Sequence, residues 1–256
     1  FQYFQNVATR PALRDWLLSE DVERLEVYQA LPADAQEPTL AEEKSRSAAL
    51  RRSRGREKAE AALPLGVVLP GIIGLHLWKN ENERIWLDPT DIAAGGLRDI
   101  RWRAGTGSIA GDGITAEKLF DMSYGDLCEF LMESHRVERF AYDWRLPLDT
   151  LADRLETFLR KLSDESKNPE RPIRLLAHSM GGLVVRSFVH KYPRLWDEIM
   201  IRDGARLIML GTPNQGSHSM VEALIGKSDT LRSLARLDLA NDLQAILDII
   251  REQPGF

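Results

Sequence analysis

Cysteine is nearly absent from this sequence, as are long apolar runs and an excess of positive charge. Cys128 is the single cysteine, which excludes an internal disulfide and a zinc site built from cysteines. No stretch approaches the roughly 18 apolar residues that a membrane-spanning helix needs. The net charge of −5 gives no reason to expect nucleic-acid binding. The first residues lack a signal-peptide pattern, so we expect a cytoplasmic protein, and nothing implies a cofactor or a metal.

Residues 1–62 differ in composition from the rest of the chain and are predicted to form a helical, charged extension. Its basic residues cluster near the end, at Arg51, Arg52, Arg54, Arg56 and Lys58. Glutamates alternate with these residues, so a solvated helix face is favoured over a site for nucleic acid or acidic lipid. Peripheral contact with a membrane stays open.

From Leu65 onward, short apolar runs alternate with helical patterns. The predicted strands are the run from Leu65 that stops at Pro70-Gly71, Arg136 to Tyr142, Ile173 to His178, and Arg206 to Leu210. The predicted helices between them are Tyr124 to Ser134, Leu148 to Leu162, and Gly182 to Tyr192. This alternation predicts an α/β fold with a mainly parallel sheet flanked by helices. The segment Asn80 to Gly113 is predicted to be a long irregular lid or binding loop.

A strand–turn–helix pattern surrounds Ser179. The predicted strand leads directly into Ala177-His-Ser-Met-Gly181, and a predicted helix follows. The tight turn of a G-x-S-x-G nucleophile elbow needs small residues two positions before and after the serine, and Ala177 and Gly181 meet that need. A plain Ser-Gly turn is the alternative, but the flanking elements favour the elbow. Ser179 is therefore the predicted nucleophile.

The Pro-Gly turn after the first strand is the second feature with chemical meaning. In a nucleophile elbow, the N–H that follows the serine, here that of Met180, is one oxyanion donor, and a loop after an early strand supplies another. Gly71 lets the backbone approach a reacting carbonyl closely, so we predict the N–H of Ile72 as the second donor. Such donors stabilise the negative charge of a tetrahedral intermediate. Taken alone, this loop favours a plain Pro-Gly turn, whereas its order before the predicted elbow favours an oxyanion loop.

Four blocks together resemble the lecithin:cholesterol acyltransferase family of lipases and acyltransferases. They are Val68-Leu-Pro-Gly-Ile-Ile-Gly74, Tyr142-Asp-Trp-Arg-Leu-Pro147, Ala177-His-Ser-Met-Gly-Gly182 and Leu210-Gly-Thr-Pro-Asn-Gln-Gly-Ser217. Trp86-Leu-Asp-Pro89 also resembles a family segment. The resemblance extends from about Leu65 to the end of the chain. It implies an α/β-hydrolase fold and acyl-ester substrates, usually lipids.

Carried over residue by residue, the resemblance implies Ser179 as nucleophile and Ile72 and Met180 as oxyanion positions. The implied substrate contacts are Gly71, Tyr142, Asp143 and Trp144. The single cysteine departs from the family pattern, because secreted animal members carry a disulfide-bracketed lid. That departure argues against interfacial activation of the lipoprotein type.

The sequence offers no convincing base for Ser179. In this fold the order along the chain is serine, carboxylate, histidine, and only His190 and His218 follow Ser179. His190 is expected about three turns along the helix, facing away from the serine. His218 follows a strand too early in the chain, so we expect neither to be the base. His178 is predicted to be a spacer beside the nucleophile.

The end of the sequence resembles the start of a cap. Leu224 to Arg251 predicts two amphipathic helices. The chain lacks an initiator methionine and a base, and in the family it resembles a similar helix followed by Pro-Gly continues into more cap and then the acid and base. The resemblance therefore implies a fragment that stops inside the cap, with its catalytic Asp and His beyond residue 256. The expected organisation is an extension at 1–62, an α/β-hydrolase core at 63–223 and the start of a helical cap at 224–256.

The leading hypothesis is a serine esterase, lipase or acyltransferase that acts on an acyl ester or lipid through Ser179. A non-catalytic interaction domain on a hydrolase scaffold stays open, because the extension is long and the base is missing. A peptidase or thioesterase also stays open, since the same elbow serves any acyl transfer.

Overall fold

The computed structural model describes residues 63–79, 83–86, 89–102, 113–166 and 168–255. The predicted extension at 1–62 and its basic cluster lie outside these ranges. The strands are β1 (Leu65–Leu69), β2 (Leu75–Lys79), β3 (Glu83–Trp86), β4 (Ile114–Leu119), β5 (Arg136–Arg139), β6 (Ile173–His178) and β7 (Arg206–Leu210). The α-helices are α1 (Pro89–Ala93), α2 (Asp126–Leu131), α3 (Leu148–Glu165), α4 (Met180–Lys191), α5 (Pro193–Met200), α6 (His218–Leu224), α7 (Asp229–Leu237) and α8 (Leu243–Arg251).

The main sheet contains the four strands that the sequence predicts. Its order is β5-β1-β6-β7, and every neighbouring pair is parallel. Leu69 lies opposite Ala177, and His178 lies opposite Leu210. The predicted fold class, a mainly parallel sheet flanked by helices, is confirmed. Because all four strands run the same way, the segments that follow them meet at one carboxyl edge, where ligands of open α/β sheets bind.

Burial explains why the central strands read as continuous apolar runs. Each residue of β1 is buried, as is each residue of β6 before His178. Helices cover such strands on both faces, so no alternation of polar and apolar residues survives. Helix α3 buries Leu151, Leu155 and Leu159 at helical spacing and packs against α4. Removing a buried leucine of this kind typically costs about 2–5 kcal/mol of stability.

A second sheet of three antiparallel strands, in the order β3-β2-β4, is absent from the sequence-based prediction. The prediction of an irregular segment from Asn80 to Gly113 was also wrong for its described part, which contains β3, α1 and a 3₁₀ turn at Gly96–Ile100. The strands are short, and β4 exposes Thr115, Glu117 and Lys118. Short strands with one solvated face carry a weak apolar signal, which explains the error.

Several predicted boundaries shift by a few residues. Strand β5 ends at Arg139 rather than Tyr142. The helix predicted from Tyr124 begins instead as a π-helical turn at Asp121–Gly125, and α2 follows it. The two amphipathic helices predicted near the end are confirmed as α7 and α8.

Candidate active site

Ser179 stands between β6 and α4 with a strained backbone. Its φ of 51° and ψ of −120° lie in a region that non-glycine residues rarely adopt, at a cost of about 1–3 kcal/mol. Its N–H donates to Leu210 O at 2.8 Å, and its carbonyl accepts from Gly182 N at 3.1 Å. The half-buried side chain stands at the N-terminus of α4, where the helix dipole favours negative charge.

Small residues around Ser179 are required by the packing of the turn. Ala177 is fully buried. A Cβ on Gly181 would lie 2.7 Å from Pro70 O and 2.8 Å from Leu69 O, and one on Gly182 would overlap Thr212 Oγ1. The Ala177-His-Ser-Met-Gly-Gly182 block therefore lets α4 begin directly against the end of β1.

The Pro70–Gly74 loop lies beside Ser179, because β1 and β6 are neighbours in the sheet. A Cβ on Gly71 would lie 3.0 Å from Ser179 Cβ and 3.0 Å from His178 Nδ1. Ile73 adopts a left-handed φ of 55°, and its carbonyl accepts a hydrogen bond from Trp86 Nε1 at 3.3 Å. The loop therefore lies close to Ser179, and the roles of Ile72 and Met180 as oxyanion donors stay predictions.

Two buried tyrosines bind the peptide group between Pro70 and Gly71. Tyr142 Oη donates to Pro70 O at 2.6 Å, and Gly71 N donates to Tyr124 Oη at 2.8 Å. Tyr124 Oη also lies 2.8 Å from His178 Nδ1. Burial raises the pKa of both tyrosines far above the ordinary value, and burial lowers the pKa of His178 to about 4.

Sequence reasoning missed Tyr124, which lies in the π-helical turn Asp121–Gly125. π-helical turns occur frequently at functional sites, but a single tyrosine gives no sequence signal of this kind. Gly74 is the one indirect sequence signal of this contact, because a Cβ there would lie 3.0 Å from Tyr124 Oη and 3.0 Å from Gly71 O.

The three consecutive residues predicted to contact substrate, Tyr142, Asp143 and Trp144, have different surroundings in the structure. The Asp143 carboxylate accepts from Arg145 Nε at 2.9 Å and from Arg145 Nη2 at 2.6 Å. Arg145 O accepts from Gly255 N at 2.9 Å. Tyr142 and Asp143 thus bind other groups of the protein, and only Trp144 of the predicted trio lines the apolar cavity beside the loop. Substrate contact by Gly71, Tyr142 and Asp143 stays a prediction.

This apolar cavity of about 190 Å³ extends from the Pro70–Gly74 loop to the helices near the chain end. Trp86 and Trp144 meet edge to face in its wall, with ring centroids 5.7 Å apart. Helices α6, α7 and α8 contribute most of the remaining lining. Its lining residues include Ile72, Ile73, Met220, Ala223 and Leu234. Such a wall accepts hydrocarbon and offers few partners to a polar group.

The five histidines of the sequence all lie in the described ranges, and no hydrogen bond there joins any of them to Ser179 Oγ. His190 stands in the last turn of α4, roughly 15 Å from the start of the helix at 1.5 Å per residue. His218 is exposed at the start of α6. His76 bonds to Trp86 O, and His135 bonds to Arg174.

Among the described residues, no cluster of three or more His, Cys, Asp or Glu side chains has the arrangement of a metal site. Within those same ranges, none of the helices combines the length and apolar character that crossing a bilayer requires.

Comparison with known proteins shows a family and a relative to which the chain is similar. The sequence model of the family described as "Lecithin:cholesterol acyltransferase" matches residues 78–238, more than half of the chain. An uncharacterized protein of Saccharomyces cerevisiae, YJR098C, is 39% identical over 79 residues, which are 31% of this chain and 11% of that protein. The chain thus spans about a tenth of the length of this relative.

Proposed function

We propose that this chain, which belongs to the lecithin:cholesterol acyltransferase family, attacks acyl esters through Ser179. The family has the α/β-hydrolase fold, and membership indicates an enzyme of the acyltransferase or lipase type with acyl-ester or lipid substrates. One observation carries the finer proposal: Ser179 holds a strained backbone between β6 and α4, with Gly71 close beside it.

The chemistry is a two-step acyl transfer. Ser179 Oγ bonds to the ester carbonyl carbon, the bond to the alcohol oxygen breaks, and the alcohol departs with the serine proton. Water or a second alcohol then attacks the acyl-serine, which releases the acid or a new ester and restores the serine. The N–H groups of Ile72 and Met180 stabilise the oxyanion of each tetrahedral intermediate.

The serine proton requires a general base, and the described residues in this arrangement do not supply one. His178 Nδ1 is engaged with Tyr124, and His190 lies at the far end of α4. In serine enzymes that lack triad members, substrate binding and oxyanion donors alone still give a rate enhancement of about 10³–10⁴ over the uncatalysed reaction. We therefore expect both turnover and phosphonylation of the serine to be slow in these 256 residues. Labelling with prolonged exposure is the primary test, because it needs only one bond-forming event per molecule.

A fluorophosphonate probe tests the nucleophile. The serine oxygen bonds to phosphorus as fluoride leaves, so the adduct can be mapped by mass spectrometry. We expect the adduct on Ser179 and none in Ser179→Ala. Ser187→Ala is the matched control, because Ser187 lies on the same helix and its Oγ donates to Asp149. An adduct at another residue that persists in Ser179→Ala would leave a non-catalytic interaction domain as the better hypothesis.

The acyl chain is proposed to enter the apolar cavity beside Ile72. A dry cavity of about 150 Å³ holds benzene in another protein, so about 190 Å³ suits a short acyl chain or the first part of a longer one. Ala223→Leu should fill part of this space. We expect it to slow acylation by butyrate and octanoate p-nitrophenyl esters more than by acetate, and an equal effect on all three would exclude this cavity.

A further inference from the structure

We propose that Tyr124 and Tyr142 are positioning residues that clamp the Pro70–Gly71 peptide, so that the next N–H, that of Ile72, faces the acyl group on Ser179. The inference rests on the proposed function and adds two residues to its machinery. Neither tyrosine needs to touch the substrate to act in this way.

The clamp holds one rigid unit at both of its polar atoms. Pro70 C=O and Gly71 N–H belong to the same planar peptide group. Tyr142 Oη binds the oxygen at 2.6 Å, and Tyr124 Oη binds the nitrogen at 2.8 Å. A rotation of this peptide would break both hydrogen bonds at once, although the glycine on its own would permit many orientations.

The following residues are held as well. Trp86 Nε1 donates to Ile73 O at 3.3 Å, and Gly74 N donates to Gly71 O at 3.2 Å. Ile72 therefore lies between two anchored peptide groups, which fixes the direction of its N–H before substrate arrives. Preorganised donors of this kind need no rearrangement as charge develops on the oxyanion.

The geometry and the neutral state of all three side chains fit one set of hydrogen-bond directions, which the proposal adopts. Burial raises the pKa of both tyrosines, so each keeps its hydroxyl proton. Tyr142 donates to Pro70 O, whereas Tyr124 accepts from Gly71 N–H and donates its own proton to His178 Nδ1. His178 can accept because burial lowers its pKa to about 4, and its proton is then on Nε2. The spacer predicted from the sequence thus anchors Tyr124.

The first experiment compares three hydroxyl deletions in the full chain: Tyr124→Phe, Tyr142→Phe and Tyr192→Phe. Tyr192 is the matched control, since its hydroxyl binds Asp153 near the far end of α4. The rate of fluorophosphonate labelling at Ser179 is separated into probe binding and the bond-forming step. We expect Tyr124→Phe and Tyr142→Phe to slow the bond-forming step by about 10- to 100-fold, less than the roughly 10²–10³ for a deleted donor. Probe binding and the control should change little.

A conservative pair of variants tests the His178 anchor. Asn places its side-chain oxygen near the position of Nδ1, so His178→Asn should keep most of the labelling rate. His178→Leu has no acceptor and should label as slowly as Tyr124→Phe. Equal rates in the two His178 variants would contradict the anchor.

Amide hydrogen exchange at Gly71 tests the clamp without any chemistry at Ser179. The N–H of Gly71 is bonded to Tyr124 Oη, so its exchange should be slow in the native chain and at least tenfold faster in Tyr124→Phe. Unchanged exchange and unchanged labelling in both tyrosine variants would overturn the clamp, while loss of the adduct in Ser179→Ala would still support the proposed nucleophile. If labelling persists in Ser179→Ala, the proposed function fails and the exchange measurement decides the clamp alone.

Discussion

A neutral histidine lies at each end of β6, half-buried at the carboxyl end and buried at the amino end, and the groups that face these histidines differ. At the carboxyl end, His178 Nδ1 lies 2.8 Å from the Tyr124 hydroxyl. At the amino end, His135 Nε2 lies 3.1 Å from Arg174 Nη1. Burial lowers the pKa of each histidine to about 4, and the Arg174 cation contributes at His135. A hydroxyl both accepts and donates, so it links His178 to Gly71, whereas a guanidinium only donates.

The carboxyl and amino edges of the main sheet also each bury an arginine, and again the partners differ. Arg145 at the carboxyl end is fully buried and pairs with the Asp143 carboxylate. Arg174 at the amino end is 8% exposed and donates to two neutral acceptors, Gly204 O and His135 Nε2. The carboxyl edge thus contains a buried ion pair, Arg145 with Asp143, near the neutral Pro70–Gly74 loop. The amino end, within the described part of the chain, holds a cation without a bonded carboxylate.

Substitution of the two buried arginines, Arg145 and Arg174, gives the largest expected effect, a loss of folding stability. Arg145→Met leaves the Asp143 carboxylate buried without its cation, and breaking such a pair typically costs about 3–5 kcal/mol. Arg174→Met leaves only neutral acceptors unpaired, so we expect about 1–3 kcal/mol. Urea unfolding of both variants measures the difference. Adding Asp143→Leu to Arg145→Met should restore most of the lost stability, because the buried carboxylate is then removed together with its hydrogen-bonded cation. An Arg174→Met cost equal to that of Arg145→Met would erase the distinction between the two ends.

The next largest effect is expected at two glycines, Gly66 near the start of β1 and Gly71 just after its end. A Cβ on Gly71 would lie 3.0 Å from Ser179 Cβ, whereas one on Gly66 would lie 3.3 Å from His135 Cβ. Gly71→Ala should displace the Ile72 donor and lower the labelling rate of Ser179 by about 100-fold. Gly66→Ala should cost about 1–3 kcal/mol of stability through overpacking and leave labelling of the folded protein unchanged. If Gly71→Ala is labelled at the native rate, the Pro70–Gly74 loop does not contribute an oxyanion donor at Ser179.

The sequence predicted the parallel sheet and the strand–turn–helix around Ser179 because both depend on local patterns. Continuous apolar runs identify buried strands, and Ala177 and Gly181 mark a turn that only small residues allow. The pattern around Tyr124 is different, since its partners Gly71 and His178 are 53 and 54 residues away. A contact of that kind depends on the register between β1 and β6, which no local pattern specifies. The cavity wall formed by α6 to α8 could not be predicted from the sequence either, because it depends on contacts between residues that are far apart in the chain.

Acid should weaken both ends of β6 through the two histidines. Their native pKa values of about 4 lie below the ordinary value of 6.5, so between these limits the unfolded chain binds protons that the native chain does not. Stability should be flat with respect to these groups above pH 6.5, fall as pH falls toward about 4, and level off below it. Each histidine contributes at most about 1.4 kcal/mol per pH unit.

Substitution of each histidine separates its contribution to the pH dependence of stability from the contribution of the carboxylates. Asn retains an acceptor near Nδ1 and Gln retains one near Nε2, so His178→Asn and His135→Gln preserve the hydrogen bonds without a titrating group. Each should flatten the dependence of the unfolding free energy between pH 6.5 and about 4, and the double variant should flatten it most. If neither variant changes the slope, the histidines already titrate normally in the native state.

The smallest expected effect is at His218, which tests whether the carboxyl end contains its own base. This histidine follows Ser179 in the chain, as a base of this fold should, but it is exposed at the start of α6. In the described residues no hydrogen bond joins it to Ser179. We expect His218→Ala to change both the labelling rate of Ser179 and the hydrolysis of p-nitrophenyl acetate by less than about twofold, in samples that unfold cooperatively on heating. His190→Ala, at the far end of α4, provides the comparison and should behave in the same way. Ready turnover by the native chain that His218→Ala abolishes, while His190→Ala keeps it, would identify His218 as the base and require α6 to approach Ser179 in the active form.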